Sequence, residues 1–487
     1  MQTSQIIQKL KSKKVIAGGI ALAVIIVLYF VQVFCMGVVN QKFYENGQQS
    51  FKEMQSDLQK LNGEYGIFSI QNESFERGFF TSKASFDMFI DAVAFDAPID
   101  SEIPPIKVIM EFKNNIFSSQ NIIAHIENPF HEMLQMLAST SGLTLDIERN
   151  LVVIKANVSL FGNANIQTKI NDINLKASDT EYIDFKDFIS SIQVNGDGKV
   201  VSETLHFGGF EMRDNDEALY YIKGVDFDTK FDEPVSIAGA IGYEIANYNS
   251  QGDIQSMGFK EGMASMEILD TKLDIKMRSQ AGNKSEQSDF LGGVFSVDSS
   301  IKAKSLDYTE MDFKQALQDI DIQVLFDRIP TILYKMAVVS RLDFFGDDDA
   351  IHALLDEVGT KIEISSLDFH KGANDFNAKG FVLFGGVGGE DTEVNCTLTS
   401  NVQFSELFPE IFDSSIVLPQ NNEGRYVLDI VKKPKEQDLK FNDKGFSEFF
   451  GEEIIVDELD DDEDLVEEEV IQNPDTPSVN PAQPPSI

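Results

Sequence analysis

The sequence predicts an α+β, β-dominated fold: one N-terminal transmembrane helix, then a large ectodomain of mostly antiparallel strands with a helical segment near residues 312–360. Three observations predict it. An uncharged run covers Val15–Val39. Segments that alternate apolar and polar side chains recur between turns rich in Asn, Gly and Asp. Apolar side chains between residues 311 and 359 fall at helical spacing.

The uncharged run is predicted to be a membrane anchor. Its 25 residues would form a helix about 37 Å long, and the hydrocarbon core of a bilayer is about 30 Å thick. A secretory signal peptide would have an apolar stretch of only about 7–15 residues, followed by a small-residue cleavage site. The run is too long and lacks that site, so we expect it to stay uncleaved.

Charges beside the run predict its orientation. Four lysines precede it, and the residues that follow it mix Lys with Glu and Asp. The positive-inside rule therefore places residues 1–14 in the cytosol. Residues 40–450 form the ectodomain on the other side, as one body or as two sub-parts separated by the helical segment 311–359. Residues 451–487 form an acidic and then Pro-rich tail, which we expect to be disordered.

The stretch "FERGFFTSKASFDM" predicts a β-hairpin. Arg77 and Gly78 mark the turn, where glycine is expected to supply a φ that a Cβ would resist. In the strand that follows, Phe80, Ala84, Phe86 and Met88 alternate with polar residues and are predicted to form the buried face. Arg77 has two interpretations: a turn residue that is solvated or paired with an acid, or an anion ligand.

Four segments predict helices. Residues 40–61 continue from the anchor, and Phe130–Leu137 and Lys444–Glu452 are short candidates. In the segment 311–359, Phe313, Leu317 and Ile320 are spaced four and three apart, as on one face of a helix. Asp347–Asp349 suit the N-terminus of a second helix, because carboxylates there meet the positive end of the helix dipole.

The net charge of −40 argues against a nucleic-acid partner, because phosphate binding needs clustered Lys and Arg. Part of this charge is local: residues 452–469 contain twelve Asp or Glu and no basic residue. Asp460, Asp462 and Asp464 have the spacing of an EF-hand loop, but Leu465 stands where that loop needs Gly and Ile471 where it needs Glu. A solvated tail is predicted, with weak binding of cations or a basic partner as the alternative.

The sequence contains none of the local motifs of catalysis that we searched for, and it predicts no catalytic, cofactor-binding or metal-binding residue. The nucleophile elbow and the phosphate-binding loop are both missing. The two cysteines provide no disulfide framework. Asn395 lies in "EVNCT", which resembles the extended acceptor of bacterial N-glycosylation. The five histidines lack metal-ligand spacing, and each is expected to be a surface or structural residue: His125, His131, His206, His352 and His370.

The anchor, the "NESFERGFFTSKASF" hairpin and the terminal "LKFNDKGFSEFFG" together resemble the YdgA-like family of bacterial envelope proteins, whose function is not established. The first signature comprises Phe75, Arg77, Gly78, Phe79, Ser82 and Phe86. The second comprises Leu439, Phe441, Asn442, Phe446, Phe449 and Phe450. The resemblance implies a single-pass inner-membrane protein with a large periplasmic part and a structural role for these residues. It supplies no catalytic residue.

Two function classes follow as expectations. The first is a non-enzymatic inner-membrane protein with its bulk in the periplasm, which scaffolds or binds envelope components. The 39 Phe and the absence of Trp have two interpretations. Phe fills an ordinary core, or some of it lines an apolar groove for lipid-like ligands. The second class is an envelope hydrolase with a site assembled from distant residues. A partner recruited through the tail is a further alternative.

Overall fold

The computed structural model describes scattered helical residues between Gln32 and Lys52 and then most of the chain from Phe68 to Phe450. The described ranges are 68–90, 104–114, 121–159, 161–214, 217–240, 245–280, 293–311, 313–334, 348–386, 390–436 and 438–450. Most of the predicted anchor and all of the acidic tail lie outside the described residues. Within the described part of the chain, no helix is both long and apolar enough to cross a bilayer.

In the described part of the chain, twenty-one strands form one antiparallel sheet, which confirms the β-dominated, antiparallel prediction. The first ten strands are β1 Phe68–Glu76, β2 Thr81–Ile90, β3 Ile106–Lys113, β4 Ile122–Glu127, β5 Thr144–Ile147, β6 Asn150–Val158, β7 Ala164–Ile170, β8 Ile173–Lys176, β9 Tyr182–Val194 and β10 Val200–Asp214. The remaining strands are β11 Glu217–Val235, β12 Tyr248–Glu261, β13 Ala264–Gln280, β14 Val294–Glu310, β15 Phe313–Pro330, β16 Lys361–Lys371, β17 Asn374–Leu383, β18 Glu393–Ser400, β19 Tyr426–Lys432, β20 Lys440–Phe441 and β21 Lys444–Gly445.

Most strands pair with the next strand in the chain. The exceptions lie in the N-terminal part, where β4 pairs with β6, β5 with β8 and β7 with β9. The turns follow the chemistry of the sequence. Between β9 and β10, the Asn195 side chain accepts hydrogen bonds from the amides of Asp197 and Lys199 at 3.0 and 2.9 Å, and Gly198 has a positive φ.

An irregular row crosses the seven long strands from β9 to β15. It consists of residues 187, 208, 224, 255, 270, 304 and 319, which the strand registers bring opposite one another. On alternate strands this residue has a left-handed backbone, at Asp187, Gly224, Asp270 and Asp319, with φ between 49° and 59°. Glycine and, less readily, aspartate tolerate that conformation. In a strand that crosses the row, an apolar residue before the row and one three positions later, beyond the row, therefore project from the same face of the sheet.

Among the described residues, five short helices can be given complete bounds: α1 His131–Thr140, α2 Ile237–Ala240, α3 Asp348–Val358, α4 Phe404–Leu407 and α5 Phe446–Phe450. The predicted helices at 130–137 and 444–452 correspond to α1 and α5. The helix predicted at 40–61 lies mostly outside the described residues. α3 confirms the helix whose N-terminus the aspartates 347–349 indicated.

The helical prediction for the start of the 311–359 segment was wrong. Phe313–Pro330 is the strand β15, which pairs with both β14 and β16. Leu317 and Ile320 do share a face, since both lie in the same core cluster. They do so because the irregular row passes between them at Asp319. The left-handed backbone of Asp319 interrupts the alternation of faces along β15. Leu317 and Ile320, three residues apart, therefore lie on the same face, as they would in a helix.

The first hairpin forms as predicted, with two corrections. Gly78 does not have a positive φ. Glycine is needed there because an added Cβ would lie 1.9 Å from the Thr81 carbonyl oxygen. Phe80 is not buried: it lies in the turn and is exposed, whereas Ala84 is buried and Phe86 and Met88 are half-buried.

Two separate core clusters lie on the sheet. The N-terminal core gathers β1–β4, β6, β7 and the nearer ends of β9–β12 around Phe112. The Phe112 ring contacts Tyr44 and Phe75 at centroid distances of 6.2 and 5.5 Å. The C-terminal core gathers β14–β19 with α4 and α5 around Phe404 and Leu407, which are fully buried.

Candidate functional site

One face of the sheet is apolar across the ten strands from β10 to β19. In antiparallel strands, directly paired residues project from the same face. A row that starts at Leu205 in β10 can therefore be followed from strand to strand to Leu428 in β19. Its members are Leu205, Phe227, Gly252, Leu273, Ile301, Ile322, Leu367, Ala378, Leu398 and Leu428. No charged side chain interrupts this row.

The adjacent row, on the other face, is polar. It starts one residue further along β10, at His206. Its members are His206, Asp226, Asp253, Lys272, Lys302, Asp321, Asp368, Asn377, Thr399 and Val427. Charges on this face pair locally, as between Lys302 and Asp321 at 2.8 Å. The sheet therefore has one face suited to water and one suited to apolar contact.

The apolar face is only partly covered between the two cores. Residues of β9–β12 in this region are half-buried and belong to neither core cluster. We call them the central apolar patch: Phe185, Phe188, Leu205, Phe207, Phe210, Ile222 and Met257. Within it the rings of Phe185, Phe188 and Phe207 contact one another at centroid distances of 5.0–6.2 Å. Soluble proteins rarely leave such a continuous apolar area half-exposed unless it binds something.

Helix α1 adds apolar surface near one side of the patch. It contacts β5, which continues through β8 to β9 by the pairs Ile147–Ile173 and Ile173–Phe185. Its Met133, Met136 and Leu137 are exposed. Methionine side chains are flexible and adapt to irregular apolar partners.

The two family signatures lie in different places. Phe75, Ser82 and Phe86 belong to the N-terminal hairpin, where Phe75 stacks on Tyr44 at 5.2 Å and Ser82 is buried. Leu439, Phe441 and Phe449 pack in the C-terminal core, and Phe446 is exposed. Arg77 and Phe79 are exposed at the first turn. The signature residues therefore serve two separate cores and do not converge on one site.

The five histidines lie at five separate positions. Among the described residues, His206 is the histidine closest to a carboxylate: its Nδ1 lies 2.7 Å from Asp226 Oδ1, on the polar face, whereas His370 Nδ1 lies 3.7 Å from Asp319. Ser191 and Thr204 line the same shallow concavity. In the described part of the chain, no hydroxyl is hydrogen-bonded to the His206 ring, and no group of three or more acidic, His or Cys side chains has metal-binding geometry.

A second concavity on the polar face is rich in carboxylates, and each of the central ones has a partner. Arg425 lies 2.7 Å from Asp375, and its hydrogen bond holds the pKa of that carboxyl below the usual value. Asp429 accepts a hydrogen bond from Thr397 at 2.7 Å. Asp375 and Asp429 therefore serve to hold neighbouring strands together, and their contacts give no sign of a catalytic role. Asn395 is exposed in the middle of β18.

Comparison with protein-family models, with curated proteins and with solved structures found no match for this chain. The resemblance to the YdgA-like family therefore stays a prediction. The sequence drew attention to the abundance of Phe, but it did not identify the central apolar patch. The stretch "YIDFKDFISSIQV" in β9 contains the signal. Phe185 and Phe188 are three residues apart, and they share a face only because the left-handed Asp187 lies between them.

Proposed function

We propose that this chain is a non-enzymatic, membrane-anchored envelope protein that binds a lipid-like ligand on the central apolar patch. One observation carries the proposal: an apolar row runs unbroken across ten strands, from the half-exposed central apolar patch at its β10 end to the buried C-terminal core. The proposal keeps the predicted location, with residues 15–39 in the bacterial inner membrane and residues 40–450 in the periplasm.

The chemistry of the patch favours an acyl chain over a polar ligand. Its side chains offer aromatic and aliphatic surface, and the charged rows face the opposite direction. Completing the burial of one Phe or Leu side chain contributes up to about 1.5–3 kcal/mol. Several half-exposed side chains in register are enough to hold a long hydrocarbon chain, while the polar face stays in water.

The first experiment offers the full-length protein, in mild detergent, a fatty acid that carries a photoactivatable diazirine, and maps the crosslinked peptides by mass spectrometry. We expect crosslinks in β9–β12. The double variant Phe207→Ser with Ile222→Ser should lose these crosslinks several-fold, because it removes apolar contacts from the patch.

The matched control changes a directly neighbouring residue in each strand, on the polar face: His206→Ser, which precedes Phe207, with Lys223→Ser, which follows Ile222. This control should label like the wild type. Equal labelling of both double variants, or labelling confined to the region before residue 60, would contradict binding at the patch.

The membrane part of the proposal has its own test. Protease added to intact spheroplasts should digest residues 40–450, while the basic N-terminus stays protected. Protection of the entire chain would place the ectodomain on the cytosolic side and overturn the proposed location.

A hydrolase is the second candidate, and the His206–Asp226 pair beside Ser191 favours it. A base oriented by a carboxylate is the arrangement that activates a hydroxyl nucleophile. If this site hydrolysed esters, Ser191→Ala and His206→Ala would each abolish turnover of a chromogenic ester. The lipid-binding proposal expects no turnover by the wild type.

A further inference from the structure

An acidic side chain, Glu203, lies on the apolar face of the sheet beside the central apolar patch. Glu203 precedes Leu205 by two residues in β10, and alternate residues of a strand project from the same face. The pairing with β9 agrees, because Glu203 lies opposite Ile192, which packs against the N-terminal core. The carboxyl group therefore marks the boundary between that core and the patch.

In the described part of the chain, no Lys, Arg or His side chain pairs with Glu203. Its carboxylate accepts a hydrogen bond from the Ser190 hydroxyl at 3.2 Å, and the residue is half-buried. Burial raises the pKa of the Glu203 carboxyl, and the hydrogen bond from Ser190 offsets only part of that effect. An ionised carboxylate in apolar surroundings is unfavourable without a cation. A cation delivered by a ligand would therefore be stabilised here.

Hydroxyl groups extend a polar strip from Glu203 across the next two strands. Glu203 pairs with Thr229 in β11, and Thr229 pairs with Ser250 in β12. The hydroxyls of Thr229 and Ser250 hydrogen-bond each other at 2.8 Å. The strip offers polar contacts to the head of a ligand, whereas the neighbouring row, from Leu205 to Phe227, offers apolar contacts.

The patch extends from this strip along the strands. In β10 it runs from Leu205 to Phe210, about 17 Å along the strand. In β9 it begins with Phe188, which precedes Ser190 by two residues. A hydrocarbon chain that follows these side chains towards the strip therefore ends beside Ser190 and Glu203.

We propose that Glu203 and Ser190 bind the ammonium head group of a lipid whose hydrocarbon chain lies on the central apolar patch. The inference rests on the lipid binding proposed above and adds the class of head group. An ammonium group donates hydrogen bonds and supplies the positive charge that complements Glu203. An anionic head group would be repelled by the ionised carboxylate, and a hydroxyl head group would leave its charge unpaired.

The experiment compares two diazirine probes that share one hydrocarbon chain and differ in the head group: a fatty acid and the corresponding long-chain amine. Each is crosslinked to the full-length protein in mild neutral detergent at neutral pH, and the labelled peptides are quantified by mass spectrometry. We expect the amine to label β9–β12 several-fold more than the fatty acid does. Glu203→Gln keeps the size of the side chain and removes its charge, so both probes should label it equally.

Two further variants separate the charge at Glu203 from the net charge of −40, which attracts any cation. Asp253→Asn removes one exposed negative charge from the polar face and should keep the wild-type preference for the amine. Glu203→Lys places a cation beside the patch and should reverse the preference in favour of the fatty acid. A variant that fails to fold cannot produce such a reversal.

The outcomes distinguish the head-group site from lipid binding itself. Equal labelling of β9–β12 by both probes in the wild type would overturn the head-group site and leave binding of the hydrocarbon chain intact. A preference for the amine that persists in Glu203→Gln would also overturn it, because charge elsewhere would then attract the amine. If neither probe labels β9–β12, the proposed lipid binding fails, and the head-group site fails with it.

Discussion

At the scale of single residues, Asp319 shows how one backbone conformation shapes the sheet. It adopts φ 49° in the middle of β15, and its side chain is largely exposed, 3.7 Å from His370. A β-branched residue at such a φ is strongly disfavoured. We therefore expect Asp319→Val to lower the free energy of unfolding by about 1–2 kcal/mol, while Asp319→Gly stays close to the wild type.

Urea denaturation of the full-length protein in detergent, followed by circular dichroism, measures this difference. Gln323→Val is the matched control, because Gln323 is exposed in the same strand with ordinary extended backbone. It should change the stability by less than about 0.5 kcal/mol. Equal effects of Val at positions 319 and 323 would show that the left-handed conformation does not determine the cost.

A second prediction concerns Asp375 and the dependence of stability on pH. Its hydrogen bond from Arg425 lowers the pKa of the folded-state carboxyl below the usual value. A carboxyl with a lowered folded-state pKa contributes stability above its unfolded-state pKa, and that contribution is lost as pH falls through the folded-state value. Below about pH 4, the wild type should therefore lose stability more steeply than Asp375→Asn.

Urea midpoints measured from neutral to acidic pH provide the test of the Asp375 prediction. Arg425→Met should flatten the acid limb in the same way, because it removes the other partner of the pair. If all three proteins lose stability in parallel on acidification, this ion pair is not the source of the acid sensitivity.

At the scale of elements, β15 shows where periodicity fails as a guide. Most strands were predictable because they alternate between polar turns, as in the hairpin closed by Asn195–Gly198. In β15, the spacing of Phe313, Leu317 and Ile320 fits a helix equally well. Only the pairing partners on both sides decide the question. β14 ends directly before β15, but β16 begins only at Lys361, and local periodicity does not reveal that pairing.

The geometry of the first hairpin depends on a side chain that is distant in sequence, Asn114, and this dependence can be tested by mutation. Its amide hydrogen-bonds Gly78, Phe79 and Asn40, and it is buried. Asn114→Ala removes these three hydrogen bonds at a buried position, where a polar group left unsatisfied costs about 1–3 kcal/mol. We expect a loss of at least this size in urea denaturation.

The control for this hairpin is Asn157→Ala, because Asn157 is exposed in β6. Hydrogen exchange of residues 68–90 gives a second readout, since loosening of the turn should accelerate it selectively. A variant at position 114 that unfolds at the wild-type urea concentration would show that the turn holds without this asparagine.

At the scale of the whole molecule, the sequence predicts a sheet with one apolar and one polar face. It does not predict which parts of the apolar face are covered by other elements. Alternation in each strand indicates one apolar side, so Leu205 and Phe227 are recognisable as inward-facing. Whether such residues meet a helix, another layer or a ligand depends on which loops and helices fold back, such as α4 over the C-terminal core. That arrangement is set by long-range packing, and local periodicity carries no information about it.

The two separate cores lead to a last prediction, about cooperativity. The cores are connected by a sheet whose strands contact mainly their neighbours, so we expect each end to open with its own free energy, as in repeat proteins. Leu407→Ala and Phe112→Ala each remove a fully buried side chain, at a cost of about 2–5 kcal/mol. Hydrogen exchange should accelerate in β16–β19 for the first variant and in β1–β7 for the second.

Ile411→Ala is the control for the C-terminal core, because Ile411 is exposed four residues beyond Leu407; it should leave exchange unchanged in both regions. Acceleration of β1–β7 by Leu407→Ala, to the same extent as β16–β19, would mean that the sheet transmits stability from end to end. In that case the central strands would be rigid despite their half-exposed patch. Independent opening instead leaves β9–β12 free to adjust around an acyl chain while both cores stay folded.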